Sequence, residues 1–245
     1  MIAVSSWAVH DWLLAQPEES RWPAFFRGLR DRGIDLAEIC HFHLPDGSAV
    51  VTKAASDAGV RLQTLLIDDG DLTSLDEGAS WETWIAEKLR LAESMGFERA
   101  RIIAGKTSGD GALQRGIEAG RRLAEGTQVR VTTENWFGLL ASPATVNEYL
   151  DLTDGAIGLC ADFGNWPMDR KYDDLPSILP RAETIHAKAD FGADGIMDEE
   201  GFARCLDLAL AAGFSEPYVL VAGGWSGVES SAAFVRERVA NSPVL

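Results

Sequence analysis

Basic residues are scarce in this chain. It carries 22 Lys and Arg against 38 Asp and Glu, a formal net charge of −16 over 245 residues. Nucleic-acid binding depends on Lys and Arg neutralising phosphates, so this balance argues against DNA or RNA as a partner, and against an anionic membrane surface as well. Long apolar runs are missing too. No stretch reaches the ~18 consecutive apolar residues that a spanning helix needs, so no membrane partner is expected. There are three cysteines, Cys40, Cys160 and Cys205. An odd number at wide spacing makes no disulfide framework, and reduced, buried thiols in the cytoplasm are the expected state. No basic segment precedes an apolar one at the start. Met1 leads directly into a strand-like Ile2–Ser5, so a signal peptide is not expected either.

Several familiar motifs are incomplete. The first strand is followed by Ser6-Trp7-Ala8-Val9-His10, not by a glycine-rich phosphate turn. Gly105-Lys106-Thr107 resembles the end of a phosphate loop, but Ala100 stands where that loop needs glycine. Asp162-Phe163-Gly164 has no kinase catalytic loop to accompany it. Asp190 to Gly201 fails as a calcium loop, because Gly192 and Gly201 occupy ligand positions.

What the chain does have is alternation. Apolar, β-branched runs read as strands: Ile2–Ser5, Leu36–Phe42, Arg61–Ile67, Arg99–Ala104, the run through Glu134, the run through Asp162, the run through His186, and Tyr218–Val221. Between them lie segments of helical spacing. Trp22, Phe25, Phe26 and Leu29 form one apolar stripe, closed by Gly33. Ala49–Ala58 stops at Gly59. Trp81, Trp84, Ile85, Leu89, Ala92 and Met95 form another stripe, with Ser80 as the expected cap and Gly96 as the stop. Further helices are expected at about 112–125, from Ser142-Pro143 to Leu152, from Asp198 to Ala212, and in a last segment that holds Phe234 and Val235. The stretch Leu175–Ala182 holds Pro176 and Pro180, so any helix there is short or broken. Eight β-then-α units with no compositional break imply a parallel sheet closed into a (β/α)8 TIM barrel, a single domain over residues 1–245.

In such a barrel the C-terminal strand ends meet at one mouth. Three consecutive strands finish in chemically active side chains: Glu134-Asn135-Trp136, Asp162-Phe163-Gly164-Asn165, and His186-Ala187-Lys188. Each alone could be an ordinary solvated loop residue. Together, Glu134, Asp162 and His186 suit a divalent cation, Mn²⁺ first and Zn²⁺ or Mg²⁺ next. His10, His41 and His43 complete the histidines, all near strand ends; His10 and His43 are read as substrate contacts. His41 and His43 would share one strand face. Trp7, Trp136, Trp166 and Trp225 follow strands, where their faces suit sugar C–H stacking or a hydrophobic lid or subunit contact, the latter compatible with a homo-oligomer.

These residues, in this order, resemble the xylose-isomerase-like barrel superfamily, which includes sugar-phosphate isomerase/epimerase-type proteins, tagatose-type epimerases, inosose dehydratase and the AP endonucleases. The resemblance rests on Glu134 and Asn135, on Asp162, Gly164 and Asn165, on His186 and Lys188, and on Glu38 of the second strand. It implies a metal held by Glu134, Asp162 and His186, with Glu134 doubling as an acid/base. It also implies a second glutamate on the eighth strand, and here the chain departs: Val221 stands at that position. Lys188 is the first substitute for the missing proton carrier, ahead of His43, Asp190 and Glu229. The expected activity is metal-dependent isomerisation or epimerisation of a sugar or related polyhydroxy or keto compound. Catalysis falls to Glu134 and Lys188, and substrate contacts to His10, His43, Asn165, Trp7 and Trp136. The alternatives are a sugar- or metabolite-binding barrel without catalysis, and a metal-dependent lyase or dehydratase. AP endonuclease chemistry is disfavoured by only four histidines and by the acidic charge.

Overall fold

The structure, a computed structural model, describes residues 1–45, 48–215 and 217–241. Eight parallel strands close in sequence order, β1 (Ile2–Ser5), β2 (Leu36–Cys40), β3 (Arg61–Leu66), β4 (Arg99–Arg101), β5 (Arg130–Glu134), β6 (Gly158–Asp162), β7 (Ala182–His186) and β8 (Tyr218–Leu220). Pairing of Ile2 with Tyr218 seals β1 against β8. The expected (β/α)8 barrel is the observed one.

Strand parity divides the buried residues into two sets. Val4, Ala37, Ile39, Leu65, Ala100, Ile102, Val131, Leu159, Ala161, Ile185 and Leu220 belong to the large core between barrel and helices. The alternate residues face inward. At the bottom, Ala3, Leu36 and Val219 form a separate apolar plug with Val221 packed against it. Farther along the strands the buried residues turn polar: Glu38, Thr64, Arg101, Thr132, Glu134, Asp162, Thr184 and His186. A dry plug below a polar layer gives the barrel one chemically active end.

The helices pack outside. Helix α1 (His10–Ala15) is short; α2 (Glu18–Asp31) buries Trp22, Phe25, Phe26 and Leu29 on one stripe. Each such side chain contributes roughly 1.5–3 kcal/mol on full burial. Helix α3 (Ala49–Ala58) and helix α4 (Gly78–Met95) both end on left-handed glycines, Gly59 at φ 65° and Gly96 at φ 77°, as their sequences predict. Ser80 does not cap α4, because the helix begins two residues earlier and Ser80 lies inside its first turn. Helix α5 spans Ala112–Glu125. Helix α6 (Pro143–Leu152) starts as expected, with the Ser142 hydroxyl accepting from Thr145 N at 3.3 Å. Between β6 and β7 the chain makes only the single turn α7 (Lys171–Asp174) and two 3₁₀ turns, Leu175–Ser177 and Leu179–Arg181, each with a proline near its start. Helix α8 (Glu199–Ala211) is capped by Asp198, and α9 (Gly224–Ala240) closes the ring.

Several strands are shorter than their apolar runs suggest. The second ends at Cys40, and His41–His43 form a 3₁₀ turn. That turn separates the two histidines that strand alternation would place on one face. His41 packs edge-on to Trp84, at 5.2 Å between centroids, while His43 turns inward toward Ser6. No described helix is long and apolar enough to cross a membrane.

Candidate active site

Glu134, Asp162 and His186 are the last residues of β5, β6 and β7. Strand register sets Asp162 level with His186, and Glu134 level with Cys160. Asn135 holds the neighbouring strand end in place. Its Oδ1 accepts from Asp162 N at 2.7 Å, and its Nδ2 donates to Asp162 O at 3.1 Å. Asn135 is fully buried, so its role in the Glu-Asn pair is to fix the spacing between two acids.

The three side chains converge. His186 Nδ1 lies 3.4 Å from Asp162 Oδ2 and 3.6 Å from Glu134 Oε2. The other imidazole nitrogen, Nε2, faces Glu38 Oε2 at 3.1 Å across the barrel. Glu134 Oε1 accepts from Asn165 Nδ2, and Asp162 Oδ1 accepts from Gly164 N. Glu134 Oε2 takes no hydrogen bond, although the residue is buried. Arg101 Nε stands 3.0 Å from it without the alignment of a hydrogen bond.

Arg101 is the residue that sequence reasoning missed. It is the last residue of β4, buried, ion-paired to both Asp68 and Glu134, and its Nη1 has no partner. Trp136 covers it at 5.5 Å from the ring centroid. A charged residue at the inward position of a short strand was the available signal. Asp68, just after β3, also accepts from Trp7 Nε1 at 2.6 Å.

This packing sets the charges. Burial pushes the Glu134 carboxyl up, but Arg101 and His186 outweigh it and hold the group at about 2. Burial raises Asp162, with the Glu134 charge adding to the effect and His186 opposing it. Burial works against a charged His186, yet Cys160, Glu38, Glu134 and Asp162 together raise its pKa well above the usual imidazole value. Burial lifts the Cys160 thiol.

The cluster opens into a cavity of about 340 Å³ lined by Trp7, Phe42, Leu66, Asp68, Arg101, Glu134, Trp136, Asp162, Asn165, His186, Lys188 and Val221. Of the expected site residues, Glu134, Asp162, His186, Lys188, Asn165, Trp7 and Trp136 therefore meet in one place. Lys188 follows β7; its N–H donates to His186 O at 2.9 Å and its side chain lines the mouth together with His186.

His10 and His43 do not line this cavity. His43 is buried, with Nδ1 2.8 Å from Ser6 Oγ and Nε2 2.7 Å from His10 Nδ1. Trp7 stacks on His10 at 4.8 Å, so the pair backs a cavity wall. Burial and His10 hold His43 down at about 4. Trp166 is core, its indole donating to Leu140 O at 3.4 Å, and Trp225 packs under Arg32 between α2 and α9. Of the other substitutes for a strand-8 acid, Asp190 pairs with Lys171 and Glu229 with Arg32, and neither lines the cavity. A cavity of about 370 Å³ at the opposite end, beside Ile2, Asp35 and Tyr218, has no such convergence of acids and imidazole.

No family model and no curated protein matches the chain. Solved structures do. Over 98% of this chain and 96% of the other, it superposes on a xylose isomerase-like TIM barrel protein from Mycobacterium smegmatis in complex with magnesium, at 16% identity and a TM-score of 0.69. An L-ribulose 3-epimerase matches at 18% identity and TM-score 0.71, over 95% of this chain and 86% of that one. D-psicose 3-epimerase from Clostridium cellulolyticum H10 matches at 12% identity and TM-score 0.73, over 97% and 98%. Fold and mouth together define a (β/α)8 barrel with a carboxylate–imidazole cluster at the C-terminal strand ends, similar in fold to these barrels. The structures sharing that fold include sugar isomerases and epimerases.

Proposed function

We propose that this barrel is a metal-dependent enzyme of the isomerase/epimerase type, moving a proton on a sugar or related polyhydroxy or keto compound. The observation that carries the reading is Glu134 Oε2, buried, ion-paired to Arg101 but without a hydrogen bond, and facing His186 Nδ1 beside Asp162. A buried polar group without a partner costs about 1–3 kcal/mol, and more when charged. A cation between these three groups removes that cost. The donor set fits: two carboxylates and an imidazole suit Mn²⁺, Mg²⁺ or Zn²⁺, and Glu38 engages the far nitrogen of His186, as carboxylates commonly do behind a ligating imidazole. Glu134, Asp162 and His186 would hold the ion. When bound, it supplies positive charge that acidifies the carbon next to a substrate carbonyl or hydroxyl.

The chain's own residues do the rest. Glu134 is ionised and can accept a proton, with Asn165 fixing its orientation. Lys188 stands at the mouth to hold a hydroxyl or return a proton. Trp7 and Trp136 offer apolar faces to sugar C–H groups. The cavity volume suits a small molecule.

Val221 in the cavity wall supports a second reading. With no acid there, and with Asp68 tied to Arg101 and Asp162 assigned to the ion, Glu134 is the one carboxylate of the lining left as a base, where two-sided proton transfer uses two. A binding barrel needs no second acid, and a lyase or dehydratase needs only one base. Metal content measured on wild type and Glu134→Gln after dialysis against Mn²⁺, Zn²⁺ and Mg²⁺ comes first. Candidate sugars are then incubated in D₂O. Carbon-bound deuterium that depends on Glu134 supports the isomerase; tight binding without exchange supports the binding barrel; loss of water supports the lyase. A protein that retains no metal sinks the leading reading.

A further inference from the structure

Cys160 bears on which metal this centre takes. It precedes Asp162 by two residues on β6, so both side chains share the inner face of the strand. It is in register with Glu134 and 2% exposed. A ligand atom from each of Glu134, Cys160 and His186 lies within 4.8 Å of the other two. The other thiols are placed differently. Cys40 faces Asp68 Oδ2 at 3.5 Å, and Cys205 lies on α8 in the outer core. What distinguishes the site is its neighbour: Glu134 Oε2, buried, makes no hydrogen bond although Arg101 Nε stands 3.0 Å away.

We propose that Cys160 is a ligand in this centre, joining Glu134 and His186, so that the site takes a thiophilic divalent ion of the zinc class in preference to magnesium or manganese. The proposal rests on the metal-binding reading above. Zinc binds sulfur at ~2.3 Å and imidazole nitrogen at ~2.0–2.1 Å in tetrahedral geometry, which sets two such ligand atoms ~3.6 Å apart, so the cluster, whose ligand atoms lie within 4.8 Å of one another, closes by about 1 Å at most around the ion. Thiolate is a soft donor and magnesium and manganese prefer oxygen, so one sulfur biases the choice. On binding, the Cys160 S–H bond breaks, its proton leaves to solvent and a sulfur–metal bond forms, with no change of oxidation state. The thiolate also supplies an anionic ligand from β6 where β8 offers only Val221.

The test is cobalt loading of the whole protein under reducing conditions, read by absorption. Cobalt(II) reports its ligands through visible d–d bands and, with a thiolate, through a near-ultraviolet sulfur-to-metal charge-transfer band. The band is expected in wild type, retained in the Cys40→Ser/Cys205→Ser double variant, and lost in Cys160→Ser. Zinc affinity in Cys160→Ser is expected to fall by at least ~10–100-fold, the loss that removing a supporting partner already causes, while manganese affinity changes little. Cobalt d–d bands without the charge-transfer band, or a band that survives in Cys160→Ser, overturn the proposal and leave the metal site standing. Absence of any bound metal removes the functional reading itself. If Cys160→Ser does not fold, the double variant decides, because Cys160 is then the sole thiol: bound cobalt without the band refutes the proposal.

Discussion

His186 Nε2 and Glu38 Oε2 meet at 3.1 Å inside the barrel, although 148 residues separate them along the chain. Both are buried. This contact turns Nδ1 of the same ring toward Glu134 and Asp162, and so aims the imidazole at the open end.

Glu38→Gln keeps the shape of that contact and removes its charge. If His186 ligates a metal as proposed, we predict an intact barrel that binds zinc and manganese ~10–100-fold more weakly, because a carboxylate behind a ligating imidazole raises its basicity and fixes its orientation. Isothermal titration with zinc and manganese reads the change. Unaltered affinity would show that Glu38 has no part in the centre.

Arg101→Leu leaves Asp68 and Glu134 buried without their common cation. Breaking a buried pair in this way costs about 3–5 kcal/mol, and urea unfolding should show a loss of that size. Arg101→Lys should recover only part, since an ammonium cannot address two carboxylates with a planar fork. An Arg101→Leu protein as stable as wild type would mean that the two acids share a proton or bind a cation of their own.

His43 makes the fold sensitive to mild acid. Its pKa falls from an ordinary 6.5 to about 4, through burial first and through His10 second. The unfolded chain therefore takes up a proton below about pH 6.5 that the native state refuses until about pH 4. The stability tied to neutral His43 is fully present above the unfolded value and is lost as pH falls through that window. His43→Gln should flatten the decline of melting temperature between pH 6.5 and 4. An identical decline in the variant would assign the acid sensitivity elsewhere.

Val221→Glu places an acid in the wall where the end of β8 meets the cavity. An added carboxylate raises the ligand charge, so manganese should bind roughly tenfold more tightly, a gain of about 1.4 kcal/mol. Titration calorimetry checks this directly. If affinity does not change, the side chain at position 221 does not reach the ion.

Much of this architecture is legible in the residue order. Gly59 and Gly96 end helices because only glycine enters the left-handed region cheaply, and Ser142-Pro143 starts one through local capping. Glu134, Asp162 and His186 stand out because acids and imidazoles ending apolar strands have no local purpose. Local chemistry misleads where packing overrides it. Trp166 follows a strand as Trp136 does, yet one is core and the other lines the mouth. His41 and His43 alternate as strand residues would, but the strand stops before them.

The sequence by itself determined the eight-unit barrel, its acidic surface and the three strand-end groups, because periodicity, capping and turn chemistry act over a few residues. Only the tertiary structure decided that Arg101 bridges Asp68 and Glu134, that Glu38 backs His186, that Asn135 ties β5 to β6, and that Cys160 lies level with Glu134. These contacts depend on strand register and on closure of the barrel. Closure brings β2 within reach of β7, a distance in space that spacing along the chain does not encode.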